Sequence, residues 1–222
     1  MTGNTNLEFM GKYFKGILGP FSGLVGAIVG VNWKGGFFLR SRPVKTNKPP
    51  TEPQLIQRKR FTMISRFLSP VTELLDIGFQ AHQQERSTFN AAFTANKDAI
   101  TGVYPLLVID LPKVIIAKGK LLQPPASFEM TTLGAAAVEF SWSNNAPAQT
   151  TGGTDRLVLM AYAPDLEEYV TVINAAARSA GRFELSVPVH WSARIIHVWV
   201  FFVSVNGKIN SNSLYVGAVT VV

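Results

Sequence analysis

Ile195-Ile196-His197-Val198-Trp199-Val200-Phe201-Phe202-Val203-Ser204 runs without a breaker, meets Asn206-Gly207, and is followed by a second apolar run, Leu214–Val221. Runs of β-branched and aromatic residues closed by an Asn-Gly pair read as strands joined by a turn. The same punctuation recurs upstream: Leu106–Ile109, Val114–Ala117, Ser127–Met130, Ala137–Trp142, Leu157–Tyr162, Tyr169–Ile173 and Arg182–Val187 lie between turn clusters such as Asn144-Asn145-Ala146-Pro147 and Ala163-Pro164-Asp165. Many short strands at near-regular spacing predict an immunoglobulin- or fibronectin-like antiparallel β-sandwich over residues 104–222. Trp142 and Tyr215 suit its core.

Before the sandwich the period changes. Phe61, Ile64, Leu68, Val71 and Leu75 recur at helical spacing, behind Thr51 as a cap with Glu52 and Pro53 in the first turn. Ser69-Pro70 interrupts that stripe, so it predicts two helices or one kinked helix closed at Gly78. A further helix is expected over Ser87–Ile100, with Phe89, Ala92, Phe93 and Asn96 on one side and Gly102 just past its end. Residues 51–103 thus form a short helical section, and the Pro49-Pro50 linker sets it off from an N-terminal arm, residues 1–50.

The arm reads as a glycine-rich hairpin. Val25, Ala27, Val29, Val31 and Trp33 alternate with smaller residues, including Gly26 and Gly30, so one strand face is flat. Lys34-Gly35-Gly36 supplies the turn, and Phe37–Arg42 returns to Pro43. Glycine on a strand face implies that a backbone or a ring approaches closely there. An apolar hairpin of this kind, with Gly23, Gly26, Val29, Gly30, Trp33, Gly35 and Phe38 as its characteristic residues, is a sheet edge able to take another strand from its own chain or a neighbour.

Charge is sparse and uneven. Only 16% of the 222 residues are charged, below the typical quarter of a globular chain, so much of the surface is apolar, polar but uncharged, or covered. Residues 1–66 hold eleven Lys/Arg against two acids, +9, and residues 67–222 hold ten against twelve, −2. A basic face of this kind meets nucleic acid, an anionic surface or acids on a neighbouring copy. Its candidates are Arg40, Arg42, Arg58, Lys59 and Arg60, with Asp165, Glu167 and Glu168 as acidic counterparts. Gly16–Trp33 is uncharged, but its glycines leave too little apolar mass for a membrane span. The N-terminus carries no basic n-region, so no cleaved signal peptide is expected, and a cytoplasmic or particle-associated location is favoured.

Catalytic and metal chemistry finds little support. There is no cysteine, which removes thiolate nucleophiles and Cys-type zinc sites. His82 with Glu85 is too few ligands for a metal, and His190 and His197 read as edge or turn histidines. No nucleophile elbow or phosphate-binding glycine loop occurs. Glu167-Glu168 beside Asp165 is a loop cluster rather than a carboxylate pair spaced for glycoside chemistry. No catalytic, cofactor or metal residue is assigned.

The run from Gly16 to Gly35, then Arg40-Ser41-Arg42-Pro43, then Pro50-Thr51 with Gln54 and Gln57-Arg58, resembles an uncharacterised family of Bacteroidota proteins. Asn90-Ala91-Ala92, Ala99-Ile100-Thr101-Gly102 with Tyr104-Pro105, Ile109-Asp110, and Ser211-Asn212-Ser213 with Tyr215 extend the resemblance over most of the chain. It implies the architecture and no activity. The arginine-proline and threonine-capped helix pattern also resembles, by analogy only, proteins encoded beside phage structural genes.

The functional expectation is therefore a non-enzymatic subunit that self-assembles into a filament, shell or virion-like particle. Copies of itself, and other structural proteins of the same assembly, are its partners. The hairpin of residues 23–44 adds strands to a neighbour, and the basic 40–66 segment meets acids on the next sandwich. The alternative is a nucleic-acid-binding protein using the basic cluster, with salt as the discriminator. A third reading is a ligand-binding sandwich that exposes Trp142 or Trp191.

Overall fold

The structure, a computed structural model, describes residues 12–13, 19–33, 35–44, 48–82, 87–134, 136–148 and 150–222. The chain divides into two compact units, Met1–Pro50 and Thr51–Val222.

The first unit is a meander of β1 (Lys12–Tyr13), β2 (Phe21–Val25), β3 (Ile28–Trp33) and β4 (Gly36–Ser41), paired in that order. The segment expected as one long strand is two. Gly26 lies off the strand face, at the first position of the Gly26-Ala27 loop with φ 58°, as a II′ hairpin turn demands. Val25 therefore faces Ile28 across the loop. The next loop sits where expected, with Gly35 at φ 78°; its other residue, Lys34, lies outside the described residues.

In the second unit, α1 (Glu52–Leu68) and α2 (Thr72–Gly78) flank a single 3₁₀ turn at Ser69–Val71, the break that Ser69-Pro70 announced. The backbone N–H of Thr51 donates to Gln54 Oε1 at 3.1 Å, tying down the start of α1. Of the apolar stripe, Ile64, Leu68, Val71 and Leu75 are buried, but Phe61 is 56% exposed.

The third helix, α3 (Thr88–Asn96), stops short of Ile100. Asn96 ends it: its Nδ2 donates to Ala92 O and Ile115 O, and its Oδ1 accepts from Ile115 N. Those bonds, with Ser213 Oγ accepting from Ile116 N and Lys118 N donating to Gly78 O, occupy the backbone of Val114–Ala117, which forms no strand. Ile100 instead opens β5 (Ile100–Val103), paired with β6 (Leu106–Ile109). Gly102 is inside β5 at φ 93°, and a Cβ there would lie 2.4 Å from Leu106 O. It is a strand glycine rather than a helix cap.

Seven strands form the sandwich: β7 (Glu129–Leu133), β8 (Ala137–Ser141), β9 (Arg156–Ala163), β10 (Glu168–Val172), β11 (Arg182–Ser186), β12 (Ile195–Val203) and β13 (Leu214–Thr220). One sheet runs β11-β8-β7 and the other β10-β9-β12-β13, all antiparallel. The immunoglobulin/fibronectin-like sandwich expected from the strand spacing is present.

Its centre is the β9–β12 pair. Leu157, Leu159 and Ala161 pair with Phe202, Val200 and Val198 and face the three-stranded sheet through Val138, Phe140, Trp142 and Leu185. Val158 and Met160 pair with Phe201 and Trp199 and face the helices through Phe67, Leu68, Val71 and Leu75. Both faces are covered, which explains apolar runs without polar alternation. The helical section and the sandwich therefore share one core. Trp142, stacked on Phe128 at 4.9 Å, and Trp191 are 5% and 0% exposed. Neither can serve as an exposed ligand platform, so the third reading loses its residues.

Candidate functional site

Among the described residues the N-terminal sheet has no second layer of its own. Among its described residues only Gly30 is buried. Gly30 pairs with Gly23, and a Cβ on it would lie 2.3 Å from Phe21 O and 2.7 Å from the Phe21 ring. The close approach expected at this glycine is thus made by Phe21 of the same unit.

The register sorts the side chains into two faces. Leu24, Val29 and Arg40 share a row, as do Val31 and Phe38, while Val25, Ile28 and Ser41 and then Gly23, Gly30 and Leu39 form the opposite rows. Both faces are largely apolar, whereas a sheet at a water boundary carries polar residues on one face. Phe37, Phe38 and Leu39 are 55%, 56% and 67% exposed, and Trp33 at the end of β3 is exposed too. Phe37, Phe38 and Leu39 belong to β4, which among the described residues pairs with β3 alone. An edge strand that is apolar over Phe37–Leu39 and has no proline offers another strand the N–H and C=O groups that lack a partner among the described residues, with Arg40 the charge at its end.

The basic candidates fall in two places. Arg40 and Arg42 are exposed on the N-terminal unit, where Arg42 N donates to Ala27 O at 2.8 Å. Arg58 and Lys59 are exposed on α1 of the second unit and Arg60 is half-buried.

The acidic candidates are engaged within their own unit. Asp165 pairs with Arg194 at 3.5 Å and Glu167 with Arg66 at 2.5 Å. Glu168 Oε2 accepts from Trp191 Nε1 at 2.7 Å and lies 2.6 Å from His190 Nε2. The Trp191 and His190 hydrogen bonds hold the Glu168 carboxyl below its ordinary range. All three acids are surface groups with a partner in their own unit. Glu85, grouped with His82 in the sequence reading, lies outside the described residues. Among the described residues no three His, Asp or Glu side chains gather as a metal site. His197 Nδ1 lies 2.8 Å from Tyr215 Oη, and burial pushes its pKa down, so it is a neutral packing histidine.

One charged cluster had no sequence signal. Arg178, in the bland run Ala175-Ala176-Ala177-Arg178-Ser179, is fully buried. Its guanidinium donates to Leu122 O, Gln123 O and Asn145 Oδ1, meets Asp155 at 3.3 Å and lies 3.8 Å from the centre of the Phe202 ring. Burial raises the Asp155 pKa and lowers that of Arg178, outweighing their mutual attraction. The cluster fastens loops to the sandwich and opens on no reacting group.

The model of one protein family, described as a family of unknown function (DUF6266), matches residues 20–217. No curated protein matches the chain.

Proposed function

The chain belongs to that family, and from the geometry of its N-terminal sheet we propose that the protein is a non-enzymatic structural subunit that assembles with copies of itself. The carrying observation is β4: an apolar edge with no second neighbour among the described residues, in a sheet where both faces hold exposed apolar side chains and, of the described residues, only Gly30 is buried. A neighbour's strand adding to this edge completes the ladder, and its side chains cover Phe37, Phe38 and Leu39.

Magnitudes favour many contacts over one. Burying those three side chains gives roughly 1.5–3 kcal/mol each, against about 4–15 kcal/mol for lost freedom on association. Three side chains alone do not hold a pair, so the main-chain ladder and the apolar faces must contribute. A head-to-tail contact of this kind repeats into a ring, shell or filament, according to how the rotation closes. Arg40 and Arg42, just past the apolar part of β4, orient the approach. Other structural proteins of the same particle are the natural further partners.

The test is a double substitution, Phe37→Lys with Leu39→Lys. Both positions are exposed, so the fold tolerates the change, while charge on an edge strand opposes pairing. Particle size by light scattering is expected to collapse to that of single chains. Unchanged particles would overturn the proposal.

A further inference from the structure

Phe61 is the one member of the α1 apolar stripe that the core leaves out. Its ring lies 4.9 Å from that of Phe93 on α3, so it is supported from behind although more than half exposed. Around this pair Gln57 and Arg60 of α1, with Lys97 and Asp98 just past α3, line a cavity of about 220 Å³. Ile64, buried, contributes to its wall.

Arg60 is the telling residue. Its Nε is sheltered from solvent and has no acceptor, and a sheltered donor without a partner calls for one to be supplied. The cations Lys113, Arg66, Arg178 and Arg194 each hold a carboxylate within 3.5 Å. Arg60, Lys97, Arg58 and Lys59 form no such ion pair among the described residues, and Asp98 pairs with none of them. Arg60 and Lys97, without an ion pair among the described residues, thus line a small cavity beside a supported, exposed ring, with Asp98 at its rim, and Arg58 stands one turn before Phe61 on α1.

Each part narrows the ligand. Unpaired guanidinium and ammonium groups select phosphate or carboxylate. A supported ring offers a stacking surface to another planar ring. At about 220 Å³ the cavity is smaller than a typical small-molecule pocket. Duplex DNA keeps its base faces stacked, whereas a single strand presents them.

We propose that this cavity is a binding site for single-stranded nucleic acid. One base stacks on Phe61, Arg60 donates into the base or sugar, and Arg58 and Lys97 hold flanking phosphates. The site lies wholly in the second unit and does not depend on the assembly reading.

The experiment is fluorescence anisotropy of a fluorescein-labelled single-stranded oligothymidylate of about fifteen nucleotides, a length within the known range of single-strand site sizes. It is run over a salt series against the same-length duplex and an oligoglutamate. The intact protein is expected to prefer the single strand. Phe61→Leu should weaken binding about tenfold, within the range for loss of one base–aromatic stack. Arg60→Gln and Lys97→Gln should both weaken it, and Lys97→Gln, which removes a phosphate contact, should also lower the salt slope by roughly 0.7. Arg182→Gln, an exposed position on β11, should change nothing. Unfolding midpoints equal to the parent's establish that the variants are folded, and Lys97→Gln, fully on the surface, stands in if Arg60→Gln is not. No binding, binding unaffected by Phe61→Leu, or equal binding of oligoglutamate would overturn the proposal, the last by pointing to an acidic polypeptide.

Discussion

Arg178 shows how much of this protein is decided by single side chains that sequence patterns do not flag. Its guanidinium satisfies two backbone carbonyls and Asn145 in a fully buried position, so Arg178→Ala leaves Asp155 buried and uncompensated. A loss of about 3–5 kcal/mol is expected in urea unfolding. Replacing both charges, Arg178→Met with Asp155→Leu, should recover only part of it, because the carbonyls of Leu122 and Gln123 lose their donors as well. Full recovery would show that Asp155 alone sets the cost. Glu168 sets a pH response. Its folded-state pKa is lowered from the ordinary 4.5, so its contribution is present above that value and disappears as pH falls through the folded one. Thermal midpoints measured from neutral pH into acid should therefore fall more steeply in the parent than in Glu168→Gln. Parallel curves would remove Glu168 from the acid response. Neither residue stood out for the right reason: Arg178 sat among alanines, and Glu168 read as a solvated loop acid.

At the scale of elements, legibility followed the strength of local punctuation. The sandwich strands were readable because β-branched runs end at Asn-Gly or Pro-Asp turns, and the α1–α2 break because Ser-Pro stops a helix. Three features were not. Gly26-Ala27 looks like part of an alternating strand, and only the Val25–Ile28 pairing reveals the turn. Val114–Ala117 has strand composition, yet its polar backbone groups are taken by Asn96 and Ser213 from elsewhere in the chain. Phe61 has helical spacing but faces out. Tertiary hydrogen bonding and burial, which spacing does not encode, decided these cases. Gly30 gives a prediction at this scale. A side chain there meets the Phe21 backbone, so Gly30→Val should disrupt the N-terminal sheet and abolish assembly. The unfolding midpoint of the second unit, followed by the fluorescence of its buried Trp199 and Trp191, should not move. A drop in that midpoint would mean that the two units do not fold separately.

At the scale of the whole molecule, the chain combines a sandwich with its own core and a sheet with almost none. Residues 51–222 bury aromatic and aliphatic side chains on both faces of the β9–β12 pair, whereas the described part of the N-terminal sheet has exposed apolar groups on both faces and, at β4, an edge with no further strand among the described residues. Those exposed apolar side chains are what the proposed self-assembly would cover. The low charge content of the chain agrees with surfaces meant to be covered. The sequence carried this division plainly, through a glycine-rich apolar arm, a proline linker and a turn-punctuated β region. It did not carry the identity of the covering surface, and the acids that looked available each have a partner within their own unit.

The most direct test compares the full chain with residues 51–222 by light scattering coupled to size exclusion, on nuclease-treated protein at low and high salt. The full chain is predicted to form large, regular particles that persist at high salt, since strand addition and apolar burial are not screened, and residues 51–222 to remain a folded, β-rich monomer. A full chain that is monomeric at both salts, or a truncated chain that assembles as the full chain does, would contradict self-assembly through the N-terminal sheet.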